Sequence, residues 1–366
     1  MRPLRILHCE AATGFGGQEH RIYNEMLAMR DHGHHLEIVC QPQALLVERL
    51  RNEGFAVHVM PMDGPLNFFV CVAKIRKILR DGNFDVLNTH SRRDTLIAGL
   101  AGRVTRTPLI VRTRHLANRP GSLLSYTIIP HRVTTVSDFV RRRLIERGVK
   151  PHQVATVYTP VQLPPVIESS TLRSELHLAS DDVIVGCVAV MRAQKGHRAL
   201  IDAIEPLLKD RPHLHLVFVG GGSPVFEQVQ SHIAKKGLQR QIHLLGVRGD
   251  VPNLLAGFDV FALATENEAM GTVFVEAAAA GLAVIGTDVG GVSELIQDGV
   301  TGLLVPLHDQ RALMAALEKL VDDPALRGKM GHAGQTLIRH QGKFTLDGLA
   351  KSTEACYARW LSELHP

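Results

Sequence analysis

Apolar residues in the first half of the chain come in short blocks, separated by longer stretches with helical spacing. Blocks at 4–9, 36–40, 57–60, 86–89, 109–112 and 133–136 predict strands, and the intervals 18–33, 43–53, 68–80, 94–103 and 138–148 predict helices. A short block unbroken by polar residues suits a strand buried on both faces, hence a parallel sheet covered by helices. Three prolines in 158–165, followed by the polar stretch 168–172, form the best linker in the chain. After it the alternation restarts, with strands at 183–190, 214–219, 242–245, 260–263 and 283–286. Helices are predicted there at 197–209, 224–236, 251–257, 273–280 and 291–297. The expected fold is α/β: two facing Rossmann-like doubly wound domains, 1–165 and 166–344, with a cleft between them. A last helix within 345–366 is expected to brace them. In such sheets ligands gather where strands end at their carboxyl side.

Composition narrows this picture. The chain has 366 residues, enough for two cores. Aromatics make up 5% with a single Trp, which argues against broad aromatic platforms for carbohydrate. Five cysteines, none paired at metal-ligand spacing, read as buried free thiols of a reducing compartment. The N-terminus carries too short an apolar stretch for a signal peptide or membrane span, so the expectation is a cytoplasmic protein, peripheral on the membrane at most. Charge is divided unevenly. Residues 1–165 hold 23 Lys and Arg against 13 Asp and Glu, whereas the rest holds 18 against 23. Drift of surface charge is the plain explanation; an anionic partner for the first half, either a phosphorylated acceptor or an anionic leaflet, is the functional one. No nucleic-acid motif accompanies the basic residues, so nucleic acid is not expected.

Chemistry concentrates in the second half. Glu268 precedes Gly271, and Glu276 stands one turn inside the helix that follows. Thr272 and Val273 fall at that helix's N-terminus, where free amides and the dipole favour an anion. Carboxylates on either side can accept hydrogen bonds from hydroxyls flanking the anion, an arrangement suited to a sugar diphosphate. Two structural carboxylates are the plain alternative. A glycosidase pair needs about 5–9.5 Å between carboxyls, and eight helical residues span about 12 Å, so hydrolysis is disfavoured. Arg192 and Lys195 lie in the loop after the strand at 183–190, placed to neutralise a diphosphate unless they are simply solvated. The glycines at 220–222, and Gly246 with Val247, end further strands where a nucleotide could approach the backbone. The turn 288–294 reads as one more glycine-rich helix start.

These pieces combine into a pattern. Arg192-x-x-Lys195-Gly196, Glu268-x7-Glu276, Thr287-Asp-Val-Gly-Gly and Asp298-Gly-Val-Thr-Gly302-Leu-Leu-Val-Pro306 together resemble the retaining glycosyltransferases of family 4, which have the GT-B architecture. The resemblance implies that Arg192 and Lys195 hold the donor diphosphate, with Glu276 on the ribose. Glu268, Gly271 and the amides of Thr272 and Val273 would meet the transferred sugar. It implies a UDP- or GDP-linked donor, no metal or other cofactor, and a glycan or lipid-linked acceptor of surface polysaccharide or lipopolysaccharide synthesis. In the first half, Gly14, Gly16 and Gly17 resemble the family's first glycine-rich loop, and His115 aligns with a histidine near the transferred sugar. His90, Ser91 and Arg92 would face the acceptor, with Arg112, Arg114, Arg119 and 141–143 supplying positive charge. The chain departs from the family at Pro160, where an Asn-Gly connector is common. A nucleotide-sugar epimerase, a sugar phosphorylase and a non-catalytic nucleotide-sugar-binding scaffold stay open, although no lysine is marked for pyridoxal phosphate. A dinucleotide oxidoreductase is disfavoured, because Gly14-Phe-Gly-Gly-Gln-Glu19 breaks the G-x-G-x-x-G pattern.

Overall fold

A computed structural model of the chain describes residues 2–163, 167 and 169–365. It separates into two compact units, Met1–Pro160 with Lys343–Pro366, and Val161–Gly342. Part of the expected linker, at Pro164, Pro165 and Glu168, lies outside the described residues.

The first unit holds seven parallel strands: β1 (Arg5–Glu10), β2 (His35–Cys40), β3 (Ala56–Val59), β4 (Val86–Thr89), β5 (Leu109–Arg114), β6 (Arg132–Thr135) and β7 (Val154–Thr156), in the order β3-β2-β1-β4-β5-β6-β7. Strand periodicity divides its core in two. Ile6, Ile38, Cys40, Val86 and Val111 face one layer of helices with Ile22, Met26 and Trp360. Their neighbours Leu7, Cys9, Val39, Leu87 and Ile110 face the other, with Ile75, Leu79 and Ile97. Apolar residues point to both faces of these strands because both faces are covered. The sheet's order reverses between β1 and β4, and the loops leaving these strands diverge to opposite faces.

The C-terminal helix Leu346–Leu364 belongs to this unit. It packs on the helix Gly17–Asp31 and on β5, burying Trp360 and Tyr357 completely. The chain therefore returns to its first core after completing the second.

The second unit is a six-stranded parallel sheet of β8 (Val183–Val188), β9 (Leu214–Val219), β10 (Ile242–Leu244), β11 (Val260–Leu263), β12 (Ala283–Thr287) and β13 (Gly302–Val305), ordered β10-β9-β8-β11-β12-β13. Its order reverses between β8 and β11. One expected helix is absent: 291–297 forms only the short 3-10 turn Val292–Glu294, because Gly290 is left-handed and Gly291 packs against the Ala269 carbonyl. Strands β7 and β13, and the helices Gln310–Asp322 and Pro324–Gln341, are additions to the sequence reading. Among the described residues, Cys9, Cys40, Cys71 and Cys187 are buried free thiols, and no helix is long and apolar enough to cross a membrane.

The role of the last helix is open to direct measurement. Trp360→Ala should destabilise the first unit by about 3–5 kcal/mol, read by circular dichroism in a denaturant titration. A loss below about 1 kcal/mol would show that the helix is not part of this core.

Candidate functional site

In the second unit, three loops leave adjacent strands at the switch point and are joined backbone to backbone. Gln194 of the loop after β8 accepts from the Glu266 amide (2.8 Å) and from the Thr265 hydroxyl (3.1 Å) in the loop after β11. The Thr265 carbonyl in turn accepts from the Thr287 hydroxyl, at the end of β12, and the Glu268 carbonyl accepts from the Gly291 amide at 3.1 Å. Two glycines permit this closeness. A Cβ on Gly196 would lie 1.8 Å from the Ala264 carbonyl oxygen, and one on Gly290 would lie 1.8 Å from that of Glu268. Both also have positive φ, 68° and 60°.

This stitching brings the loops that carry Arg192, Lys195 and Glu268, and the helix start at Gly271, Thr272 and Val273 with Glu276 one turn on, into one region. Lys195 forms an ion pair with Glu268, both side chains mostly buried. Arg192 is exposed on the same loop and has no side-chain partner among the described residues. The helix Thr272–Ala279 begins after Gly271, whose φ of 88° turns the chain sharply and which offers no capping side chain. The amides of Thr272 and Val273 therefore open the helix without a side-chain cap. Glu276 stands one turn on, also without a side-chain partner among the described residues, and burial pushes its carboxyl up to about 7. Cations, free amides and a desolvated carboxylate are the groups that an anion carrying hydroxyls would require.

Elsewhere the expected residues divide. Gly246 has positive φ and open space around it, and Val247 is fully exposed beside it. Arg248 is tied to Glu175 and Asp250. The spare room at Gly220 and Gly222 is taken by the chain itself, packed against the carbonyls of Ala189 and Met191.

In the first unit, His115 follows β5 directly and is buried, in hydrogen-bond contact with His90, which follows β4. Ser91 is the N-cap of the helix Arg92–Thr105, exchanging bonds with Asp94, and Arg92 is exposed. Gly14, Gly16 and Gly17 lead into the helix Gly17–Asp31, where Glu19 accepts from the Gly16 amide at 2.7 Å. Arg112 and Arg114 require a correction. They are not surface cations: Arg112 lies over the Tyr126 ring and bonds the Ser125 carbonyl, while Arg114 donates to the Tyr126 hydroxyl and Asn118. They hold the segment 116–126 in place. The sequence reading missed His8, Glu10 and Asp94, all buried at this strand end; polar residues closing apolar blocks were the only available signal. Burial pushes both carboxyls up, that of Glu10 to about 8 with the charge of Asp94 adding to it, and that of Asp94 to about 6 against the hydrogen bonds from Ser91 and His90 and the charge of Arg112.

Comparison with known proteins gives the family of the chain. The model for "Glycosyl transferases group 1" matches residues 168–337, and that for "Glycosyltransferase Family 4" matches residues 15–163. The chain belongs to the family 4 glycosyltransferases. It is 29% identical over 346 residues to a phosphatidyl-myo-inositol mannosyltransferase of Mycobacterium leprae, covering 88% of each chain. A glycosyltransferase structure from Rickettsia africae superposes with a TM-score of 0.88 at 24% identity, over 99% of both chains. Anabaena HepE in complex with UDP gives 0.86 at 20% identity, over 97% of this chain and 100% of that one. At these identities the structural likeness is one of fold, the GT-B kind, and the family models carry the activity: this is a sugar-transferring enzyme.

The close backbone packing makes Gly290 a sensitive position in this glycosyltransferase. Gly290→Ala should destabilise the second unit by about 1–3 kcal/mol, seen as a lower midpoint in thermal or chemical unfolding. An unchanged midpoint would mean that the loops are not held against each other.

Proposed function

We propose that the enzyme transfers a sugar with retention of configuration from a UDP- or GDP-linked donor to a glycan or lipid-linked acceptor in surface polysaccharide or lipopolysaccharide synthesis, without a metal. The observation that carries this reading is the convergence of Arg192, the Lys195–Glu268 pair, the uncapped start of helix Thr272–Ala279 and Glu276, without a side-chain partner among the described residues, at one switch point. Arg192 and Lys195 hold the diphosphate and take up charge as the sugar's C1–O bond breaks. Glu276 accepts from the ribose hydroxyls. Glu268 and the amides of Thr272 and Val273 meet the sugar, and His115 and the Gly14–Gly17 loop of the first unit are the further residues that the family resemblance assigns to the reaction. The acceptor hydroxyl attacks C1 from the face that the diphosphate leaves, and its proton passes to the departing phosphate oxygen. No protein nucleophile takes part. The complex of HepE with UDP supports a uridine nucleotide, and the Mycobacterium leprae relative, named for phosphatidyl-myo-inositol, supports a lipid acceptor.

A second observation bears on the acceptor. Helix Pro65–Gly82 exposes Leu66, Phe69 and Val70 in its first turns, followed by exposed Lys74, Arg76 and Lys77. Apolar side chains beside cations suit the interface of an anionic bilayer. The enzyme therefore works at the cytoplasmic face of a membrane, where a lipid-linked acceptor is presented.

Calorimetry with UDP should show affinity reduced about tenfold or more in Lys195→Ala and Glu276→Ala, with the fold retained. Because a carboxylate accepts more hydrogen bonds than its acid, wild-type affinity should rise with pH up to about 7 and then level. Glu276→Gln should flatten that rise. Unchanged affinity in both alanine variants would remove the site, and turnover abolished by EDTA would remove the metal-free mechanism. For the membrane surface, the protein should sediment with phosphatidylglycerol vesicles at low salt, less so at high salt, and poorly as Phe69→Asp. Equal sedimentation of wild type and Phe69→Asp would rule this helix out.

A further inference from the structure

Three imidazoles stand in line at the carboxyl end of the first unit's sheet. His8 lies in β1, and the parallel register pairs it with Asn88, two residues before His90. Nδ1 of His8 is 3.0 Å from Nε2 of His90, and Nδ1 of His90 is 3.1 Å from Nε2 of His115. The first two rings lie within 4° of parallel. Atoms of stacked rings keep about 3.5 Å apart, so a 3.0 Å contact between nitrogens means that the rings meet edge to edge. That is the geometry of an N–H···N hydrogen bond. All three rings are buried. Burial first, with the charge of Arg21 adding to it, lowers each: His8 to about 3, His90 and His115 well below the ordinary histidine range. The chain is therefore neutral, and each ring carries one hydrogen.

A neutral imidazole donates from one nitrogen and accepts at the other. His90, bonded at both nitrogens, must donate on one side and accept on the other. The three hydrogens then run in the same direction, all on Nδ1 or all on Nε2. An isolated neutral histidine exchanges tautomers by itself; here an exchange requires three protons to move together. The nitrogen of His115 left outside the chain is Nδ1, and the state of the whole chain decides whether it offers an N–H or a lone pair.

We propose that His8 and His90 are positioning residues that fix the tautomer and ring plane of His115 through this hydrogen-bonded chain. The proposal rests on the reading that His115 meets the transferred sugar, where a hydroxyl must find either a donor or an acceptor but not an average of the two. A histidine held in one tautomer by a buried partner is worth orders of magnitude in other catalytic sites. Neither His8 nor His90 needs to touch substrate for this role.

The test is ring nitrogen NMR on protein labelled with 15N histidine, the signals assigned by single substitutions. In wild type, His115 should show one protonated and one bare nitrogen, unchanged between about pH 6 and 8. His8→Leu, which keeps an apolar side chain of similar reach, should convert this to an averaged pair, and His90→Leu, which cuts the chain at its middle, should do the same. His8→Asn, whose amide stands near the Nδ1 position, should restore the single tautomer. Release of UDP from UDP-glucose should fall about tenfold or more in kcat in both leucine variants, with KM little changed, and recover in His8→Asn. An averaged His115 in wild type, or a pattern that both leucine variants leave unchanged, overturns the proposal. His115→Ala separates it from the functional reading. If that variant keeps full turnover, His115 does not serve the sugar; if it loses turnover while His8→Leu and His90→Leu keep it, the chain alone is refuted.

Discussion

The second unit depends on carbonyl oxygens meeting glycines where no side chain fits. With 1.8 Å available for a Cβ at Gly196 and at Gly290, the loops after β8, β11 and β12 can share hydrogen bonds directly. Any larger residue would push Ala264 or Glu268 away and break the contacts of Gln194 and Gly291. Everything chemically interesting in this unit hangs from those loops. Lys195 reaches Glu268 because their backbones are already neighbours, and the helix at Thr272 starts where it does because Gly271 reverses the chain just after Glu268. Local backbone closure comes first, and the charged pair is its consequence.

The first unit solves the opposite problem, how to bury polar groups at a strand end. Apolar blocks fill both faces of its sheet, yet His8, Glu10, Asn88, His90, Asp94 and His115 are all buried where the strands finish. They are tolerated because they bond to one another or to loop amides. Glu10 accepts from the Ala12 amide and Gln18, Asp94 from the amides of His90 and Ser91, and Asn88 links Glu25, Tyr357 and Thr113. An unpaired group in such a place would cost about 1–3 kcal/mol, so the network is tight where it is closed. Satisfying groups this way also restricts them to single geometries, which is what a reacting centre requires.

Much of this was legible in the residues. The mostly apolar blocks at 86–89, 214–219 and 260–263 appear as strands with the same bounds, because covering both faces favours apolar residues along the whole strand. The glycines beside Lys195 and after Asp288 marked the loops that close. What escaped had a physical reason. β7 is three residues long, too short to show a period, and β13 follows a turn whose glycines promised a helix. Arg112 and Arg114 looked like surface charge, since a sequence shows a cation but not the aromatic ring or carbonyls that bury it. The imidazole chain was invisible for a related reason: its members are separated by 82 and 25 residues, and only the order β1-β4-β5 makes them neighbours.

The paired and unpaired charges of the second unit differ in what they require of a ligand. Among the described residues Arg192 and Glu276 have no side-chain partner to give up, so a nucleotide meeting them gains contacts and loses only water. Lys195 and Glu268 are already matched, and an incoming diphosphate must compete for the lysine. That competition has a use. A lysine held at the mouth of an uncapped helix by a neighbouring carboxylate has only to turn when an anion arrives, and the carboxylate it releases becomes an acceptor beside the same anion. The pair thus keeps two opposite charges in place in a partly desolvated loop, where either one alone would be costly. On the proposed reading, binding of the diphosphate exposes Glu268 to the sugar as Lys195 turns to the phosphate, so that one exchange prepares both contacts.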